Sequence, residues 1–213
     1  MLKKQTTIIW DWNGTLIDDL HICLESINAM LKRRHLPLLS SSVYRQIFDF
    51  PVINYYLKLG FDLEKESFDH VSVEFHDEYL KRLNTGELHK HALYILNYFQ
   101  TKGIPQNILS ALRHDLLIDS VQALNVTSYF KNIAGNKNLK GHSKTEFGLN
   151  LLKKLIYNPE HTYLIGDTTH DAEVAHAMGI KCILVADGHQ SKERLLATKM
   201  PVVNNLKELP ALF

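Results

Sequence analysis

The sequence predicts an α/β fold with a doubly wound parallel-sheet (Rossmann-like) core and an inserted all-helical cap domain. Three observations lead to this prediction. A β-prone run at residues 6–10 leads straight into a polar loop that begins with Asp11. From about residue 90 onward, segments with strand and helix patterns alternate, which is typical of βαβ units. Between residues 18 and 87, the patterned segments are helical.

The first strand is predicted at residues 6–10, because β-branched and aromatic residues dominate the sequence TTIIW. Gly14, shortly after its end, allows the backbone to turn sharply and to approach a ligand. Asp11 would then lie at the carboxyl end of a strand, where open α/β sheets place their ligand crevices. Taken alone, an Asp at this position is a nucleophile, a metal ligand or a helix cap.

Four helical segments are predicted after this strand, and Pro37, Pro51 and Gly60 separate them. They cover residues 20–35, 42–48, 52–59 and 65–83. We interpret residues 18–87 as the cap and residues 1–17 and 88–213 as the α/β core. A lid of this kind excludes water from a crevice and selects substrates. The alternative is that these helices simply pack on one face of the sheet.

The rest of the chain is predicted to alternate between helices and strands, with helices that end at Gly103 and Gly179. Helices are predicted at residues 90–102, 114–124, 144–156, 171–178, 191–198 and 206–212. Strands are predicted at residues 104–110, 132–135, 161–165, 180–185 and 202–203.

Composition excludes several classes of protein. The chain has 213 residues and a net charge of +1, so it has no basic footprint for nucleic acid or for a membrane surface. No apolar run is long enough to span a bilayer. Cys23 and Cys182 are far apart and lack metal-ligand spacing, which favours a reducing, cytoplasmic setting. The sequence does not indicate an oligomeric state.

Four polar elements follow strands or begin helices in the α/β part, so the fold would bring them to one rim. They are residues 11–15 (DWNGT), Ser110, Lys144 and residues 166–171 (GDTTHD). A lysine in the first turn of a helix opposes the helix dipole, which makes Lys144 unusual, although a solvated lysine is the alternative.

Three carboxylates would meet at this rim: Asp11, Asp167 and Asp171. Asp167 and Asp171 could also be a helix N-cap and a first-turn acid. Crowding three carboxylates is costly unless a cation lies among them. Hard oxygen ligands suit Mg²⁺, which takes one or two carboxylates together with substrate phosphate and water.

In order along the chain, the elements read IIWDWNGTL at residues 8–16, ILS at 108–110, Lys144, and YLIGDTTHD at 163–171. On these motifs the sequence resembles the haloacid dehalogenase-like (HAD) hydrolase superfamily, specifically its phosphatase branch with a helical cap inserted after the first motif. The resemblance covers essentially the whole chain and is greatest to phosphoglycolate phosphatase-like members.

The resemblance implies a Mg²⁺-dependent phosphatase that hydrolyses a small phosphorylated metabolite. Asp11 would attack phosphorus and form an aspartyl-phosphate. The metal would be held by the Asp11 carboxylate, the Asn13 carbonyl and Asp167, with Asp171 helping directly or through water. Lys144 would neutralise charge on the phosphate and the nucleophile. Donors to the phosphate would come from Gly14, Thr15, Ser110 and Lys144.

Asn13 departs from the family pattern. Phosphatases of this superfamily usually carry an Asp two residues after the nucleophile as general acid and base, and an Asn cannot pass a proton. Losing such a group typically costs about 10²–10⁴-fold in rate. Asp18 or His21, just beyond the motif, could supply the missing proton. Two alternative functions therefore stay open: a phosphoryl-ligand sensor with weakened turnover, and a phosphotransferase.

Other relatives fit less well. A dehalogenase needs no Mg²⁺, which the pair Asp167 and Asp171 argues against. A phosphonate hydrolase needs a cap lysine, and no cap lysine has a distinctive context. In the predicted cap, Arg45 could face the crevice and bind an anionic group of the substrate, with a solvated helix charge as the alternative.

Overall fold

A six-stranded parallel sheet forms the centre of the structure, a computed structural model that describes residues 6–83, 86–136 and 144–213. A second, two-stranded sheet lies beside it. The strands are β1 (Thr7–Trp10), β2 (Ile17–Asp18), β3 (Glu87–Leu88), β4 (Gln106–Arg113), β5 (Asn132–Asn136), β6 (Thr162–Gly166), β7 (Lys181–Val185) and β8 (Val202–Val203).

The helices lie on both faces of the large sheet and in one separate block. They are α1 (Leu20–Arg33), α2 (Ser41–Ile47), α3 (Val52–Lys58), α4 (Phe68–Leu80), α5 (Ala92–Thr101), α6 (His114–Ala123), α7 (Lys144–Leu152), α8 (Thr169–Ala177) and α9 (Lys192–Ala197). Short 3₁₀ segments occupy Thr127–Tyr129, Pro159–His161 and Leu206–Leu212.

The strand order of the large sheet is β5-β4-β1-β6-β7-β8, and every pairing in it is parallel. The chain first adds strands on one side of β1 and then on the other. The order therefore reverses at β1, which creates a crevice at the carboxyl ends of β1, β4 and β6.

Alternate residues of β1 pack into different cores. Ile8 and Trp10 join the cluster that contains Phe99 of α5, whereas Ile9 joins the cluster that contains Val174 of α8. Side chains of a strand point alternately to opposite faces, so both faces of this sheet are covered by helices. The predicted doubly wound α/β class is confirmed.

Helices α1 to α4, together with the turns between them, form a block with its own apolar core; we term residues 20–80 the helical segment. Ser40 and Ser67 accept hydrogen bonds from the backbone of the first turns of α2 and α4, and so cap these helices. The core contains buried aromatic and aliphatic side chains, among them Ile27, Met30, Tyr55, Tyr56 and Val71.

The two ends of the helical segment are joined by the small antiparallel sheet, in which Ile17 pairs with Leu88 and Asp18 with Glu87. Each of these two strands contains an acidic residue and lacks the pair of β-branched residues that predicted β8, so the sequence did not predict them. The chain therefore leaves and re-enters the α/β core at adjacent points.

Several boundaries differ from the prediction. Strand β4 continues to Arg113 rather than ending at Ser110, with a shift of pairing register after Leu109. Helix α7 ends at Leu152 rather than at residue 156. The terminal helix occupies the predicted residues Leu206–Leu212 and has 3₁₀ geometry; it contains Pro210, which lacks a backbone donor.

Within the described ranges, no helix combines the length and the apolar character needed to cross a membrane.

Candidate active site

Three buried carboxylates meet in the crevice at the carboxyl ends of the central strands. Asp11 directly follows β1, Asp167 directly follows β6, and Asp171 lies in the first turn of α8. Each offers an oxygen atom within 4.8 Å of those of the other two. The topology thus brings together side chains that are up to 160 residues apart in sequence.

Lys144 joins two of these carboxylates. Its ammonium group donates to Asp11 Oδ1 in a short contact and to Asp171 Oδ1 at 2.6 Å. The lysine is itself buried and begins α7. Burial alone would lower the pKa of Lys144, but Asp11 and Asp171 raise it, so the group stays positively charged.

The three carboxylates can carry more negative charge than the single positive charge of Lys144 balances. Burial raises the pKa of Asp11 to about 8, opposed by Lys144 and reinforced by Asp171 and Asp167. Burial likewise raises the pKa of Asp167. For Asp171 the effect of burial is outweighed by Lys144 and by hydrogen bonds, and its pKa is lowered.

This donor set fits a hard divalent cation. Several buried anionic oxygens on rigid elements, with too little protein charge to balance them, are what Mg²⁺ requires. A bound cation would lower the raised pKa values of Asp11 and Asp167. The residues whose carboxylates could hold it are Asp11, Asp167 and Asp171.

Two glycines allow the backbone to approach Asp167 closely. A Cβ atom on Gly14, whose φ is +72°, would lie 2.4 Å from Asp167 Oδ2. A Cβ on Gly188 would lie 2.2 Å from the same oxygen. Any side chain at either position would therefore displace the carboxylate.

Two expected phosphate donors are already engaged by carboxylates. Thr15 Oγ1 donates to Asp167 Oδ1 at 2.9 Å, and the Gly14 N–H donates to Asp19 Oδ1 at 2.8 Å. Buried carboxylates need such donors, which explains the difference from the expectation. Ser110 Oγ lies on β4, accepts from the N–H of Leu112 at 3.1 Å, and lines the crevice.

Asn13 is held by hydrogen bonds at both ends of its amide. Its Nδ2 donates to Asp19 Oδ2 and to the hydroxyl of Tyr79, each at 2.8 Å, and its Oδ1 lies 3.5 Å from Ser110 Oγ. Tyr79 OH also donates to Asp19 Oδ2 at 2.9 Å. Because Tyr79 belongs to α4, the amide joins the α/β core to the helical segment.

A buried ion pair completes this network. His189 Nε2 and Asp19 Oδ1 lie 3.1 Å apart, and His189 Nδ1 lies 3.1 Å from the hydroxyl of Tyr44. Burial alone would lower the pKa of His189, but Asp19 raises it to about 9. In return, His189 and the Asn13 and Tyr79 hydrogen bonds lower the pKa of Asp19 to about 2, against the effect of burial.

The proton-donor candidates near the first motif do not reach the site. Asp18 and His21 are both exposed, and the neighbouring Asp19 is the buried residue. Asp19, Tyr79 and His189 were not predicted as site residues, because the contacts of Asp19 with Tyr79 and His189 bridge 60 and 170 residues of sequence. The contacts of Asp19 with Asn13 and Gly14 are local, but they depend on the turn that the first loop makes. The sequence carries a signal for His189: the polar residues 188–191 (GHQS) follow the strand predicted at residues 180–185 and so lie at the rim of the sheet.

Arg45 is placed differently from the expectation that it faces the crevice. Its Nε donates to the carbonyl oxygen of Gly188 at 2.9 Å, and its Nη2 to that of Asp187 at 3.3 Å. The side chain therefore connects α2 to the loop after β7. It is held there because those two carbonyl oxygens accept its hydrogen bonds.

A carboxylate lies at the switch point of a doubly wound sheet, bonded to a buried lysine and flanked by two further carboxylates, and this is a hydrolase type of site with room for a metal ion among its acidic groups. The haloacid dehalogenase-like hydrolase family model matches residues 8–185. The chain belongs to this family, and the predicted resemblance is confirmed.

Curated relatives are distant but extend over most of the chain. It is 22% identical over 214 residues to a phosphoglycolate phosphatase of Pseudomonas fluorescens, covering 95% of this chain and 77% of that protein. A phosphoglycolate phosphatase of Rhodobacter capsulatus is 21% identical, covering 86% and 85%. A haloacid dehalogenase-like family hydrolase of Streptococcus pneumoniae superposes with a TM-score of 0.77 at 20% identity, covering 99% of each chain.

Proposed function

We propose that the protein is a Mg²⁺-dependent phosphatase that hydrolyses a small phosphate monoester through an aspartyl-phosphate on Asp11. The observation that carries this proposal is the buried set of Asp11, Lys144, Asp167 and Asp171 at one strand end. The similarity to phosphoglycolate phosphatases supports the reaction class.

The proposed reaction has two displacements. Asp11 attacks phosphorus with one carboxylate oxygen while the ester oxygen departs with its bonding electrons. A water molecule then attacks the aspartyl-phosphate, which releases inorganic phosphate and restores the Asp11 carboxylate. Lys144 keeps Asp11 oriented and compensates the charge of the phosphoryl group, and Ser110 donates to one of its oxygens.

Magnesium held by Asp11, Asp167, Asp171 and the Asn13 carbonyl would shield the approach of two anions to each other. Thr15 and the His189 N–H, which donate to Asp167 at 2.9 and 2.6 Å, would keep that carboxylate in position for the ion.

We propose that residues 18–87 act as a cap over this site. Three observations support the role. Strands β2 and β3 pair with each other where the chain leaves and re-enters the α/β core. Asn13 donates a hydrogen bond to Tyr79, and Tyr44 is hydrogen-bonded to His189. A closed cap would exclude water from the charged groups and strengthen their interactions.

The test is phosphate release from a panel of phosphate monoesters with Mg²⁺, comparing the wild type with Asp11→Asn. We expect Mg²⁺-dependent release by the wild type and loss of at least about 10³-fold in Asp11→Asn. Asp18→Asn removes an exposed carboxylate nearby and should retain wild-type activity. Background release from the whole panel by the wild type would refute the proposal.

A phosphoryl-ligand sensor is the second candidate, because Asn13 cannot donate and recover a proton and its amide is fully engaged. Equilibrium binding of orthovanadate with Mg²⁺, in the absence of turnover on the panel, would favour this candidate. Measurable turnover that disappears in Asp11→Asn would exclude it.

A further inference from the structure

The crevice continues into a cavity of about 320 Å³ that is shared between the α/β core and the helical segment. Asp11, Asn13, Ser110 and Lys144 line its inner end. The volume is at the lower end of the range of about 300–1,000 Å³ for small-molecule sites. An apolar cavity of about 150 Å³ already holds a benzene ring, so this one has room for a ring beyond the phosphoryl group.

The part of the cavity wall that the helical segment supplies is aromatic. Eight phenylalanine and tyrosine side chains line the cavity, among them Phe48, Phe50, Tyr55, Phe68, Phe75 and Tyr79. The rings support one another: Phe48 lies 5.3 Å from Tyr55 and 5.4 Å from Phe50, centroid to centroid. Phe50 in turn stacks on His170 of the core at 4.8 Å. Such walls favour flat, apolar groups, which stack on them or meet them edge to face.

Positive charge is scarce on this wall. Among the lining residues that the structure describes, Lys144 alone is a lysine or an arginine, and two carboxylates already bond it. Arg45 donates to main-chain carbonyl oxygens of residues 187 and 188. His189 also lines the cavity and is positively charged, but its two ring nitrogens are engaged by Asp19 and Tyr44. A second carboxylate on the substrate, as in phosphoglycolate, would lose hydration against aromatic rings and would have to compete with Asp19 for the charge of His189.

From these observations we propose that the substrate is a small phosphate monoester of an aromatic alcohol, a phenol in particular, whose ring occupies the aromatic part of the cavity. This inference rests on the function proposed above and names its substrate class. It is favoured independently by Asn13, since a phenolate departs without prior protonation far more readily than an alkoxide does. A phenol has a pKa of about 10, so its anion is a moderate base.

Transfer of the phosphoryl group from a phenolic oxygen to Asp11 needs no general acid. The Asp11 carboxylate forms a P–O bond, the bond between phosphorus and the phenolic oxygen breaks, and its electron pair stays on that oxygen. The phenolate takes a proton from solvent water after it leaves. Water then attacks the phosphoryl group on Asp11 and gives phosphate, the Asp11 carboxylate and one proton.

Turnover of three substrates tests this assignment: phenyl phosphate, benzyl phosphate and 2-phosphoglycolate, each with Mg²⁺. We expect kcat/KM for phenyl phosphate to exceed that for 2-phosphoglycolate by about 100-fold, from ring burial and leaving-group basicity together. Benzyl phosphate should share the low KM but show a kcat lower by at least about tenfold. A preference for 2-phosphoglycolate would overturn the substrate class while leaving the phosphatase intact.

Binding tests the ring site even without turnover. Benzylphosphonate and 3-phosphonopropionate replace the bridging oxygen of phenyl phosphate and 2-phosphoglycolate by a methylene group. In calorimetry with Mg²⁺, benzylphosphonate should bind at least about tenfold more tightly than 3-phosphonopropionate, because benzylphosphonate has an apolar ring to bury in the cavity and 3-phosphonopropionate has none. Equal affinities, or tighter binding of 3-phosphonopropionate, would refute the ring site whether or not the protein is a phosphatase.

A pair of variants on α4 tests whether the aromatic wall binds the ring of benzylphosphonate. Phe75→Ala removes a half-buried ring of the cavity wall and should weaken benzylphosphonate about tenfold while affecting 3-phosphonopropionate less than about twofold. Val73→Ala, two residues away and 59% exposed, should change neither affinity. Equal losses for both ligands in Phe75→Ala would contradict ring recognition, and circular dichroism would confirm that each variant folds.

Discussion

Asn13 is the residue at which this site departs from the pattern of the family's phosphatases. An aspartate at this position would place a second carboxylate within hydrogen-bond distance of Asp19, whose pKa is about 2 and which is therefore ionised. The amide avoids that repulsion and donates to both Asp19 and Tyr79. Asn13 thus lacks the proton that an aspartic acid could donate, but its amide joins the α/β core to the helical segment through Tyr79.

The substitution Asn13→Asp tests this view. Asp19 should hold the new carboxyl protonated at neutral pH, because like charges this close disfavour a second ionisation. A protonated carboxyl can act as general acid, so we expect kcat for benzyl phosphate to rise by at least about tenfold. Phenyl phosphate, with its better leaving group, should gain little. An equal gain for the two substrates would contradict the leaving-group argument.

His189 links stability to pH. Its pKa of about 9 lies above the value of 6.5 for an unperturbed histidine, so the charged form is favoured by folding. The stabilisation is complete below about pH 6.5 and is lost as the pH rises through about 9. We expect His189→Gln to lower the free energy of unfolding by about 3 kcal/mol at pH 6, because it leaves the buried Asp19 charge without its partner.

Thermal unfolding in EDTA from about pH 6 to pH 10 measures this linkage. The gap in melting temperature between wild type and His189→Gln should narrow toward the alkaline end. His21→Gln, which changes an exposed histidine, should follow the wild type throughout. A gap that stays constant over the whole range would show that the charge of His189 does not contribute.

At the scale of elements, α2 is tied to the loop after β7. Arg45 donates to the carbonyl of Gly188 at 2.9 Å and accepts at its own carbonyl from the N–H of Ser191 at 3.0 Å. Phe48, just beyond the helix, accepts at its carbonyl from Gln190 at 3.0 Å and from Arg194. These bonds hold the aromatic wall of the cavity against the α/β core.

Arg45→Met tests whether Arg45 positions that wall or binds the substrate. If it positions the wall, KM should rise about threefold for phenyl phosphate and 2-phosphoglycolate alike, and stability should fall by about 1–2 kcal/mol. Lys58→Met removes an exposed ion pair with Asp49 on the same segment and should cost less than about 0.5 kcal/mol. A KM increase confined to 2-phosphoglycolate would instead assign Arg45 to the substrate carboxylate.

At the scale of the whole molecule, the sequence predicted what local pattern determines. Alternating strands and helices after residue 90 predicted the parallel sheet, and the strand ends placed Asp11 and Asp167 at one edge. The short strands β2 and β3 each contain an acidic residue and have no β-branched pair like that of β8, so they were missed. The contacts of Asp19, Tyr79 and His189, and the placement of Arg45, depend on how the helical segment docks, which no local pattern records.

We propose that Asp11 accepts the phosphoryl group beside a Mg²⁺ ion held by Asp167. A crystal structure of the protein soaked with Mg²⁺ and beryllium fluoride, a mimic of the phosphoryl group, tests it most directly. We predict beryllium bonded to a carboxylate oxygen of Asp11, fluorine atoms facing Lys144 and Ser110, and the metal between Asp11 and Asp167. A mimic bound elsewhere, with Asp11 still paired to Lys144 alone, would contradict the account.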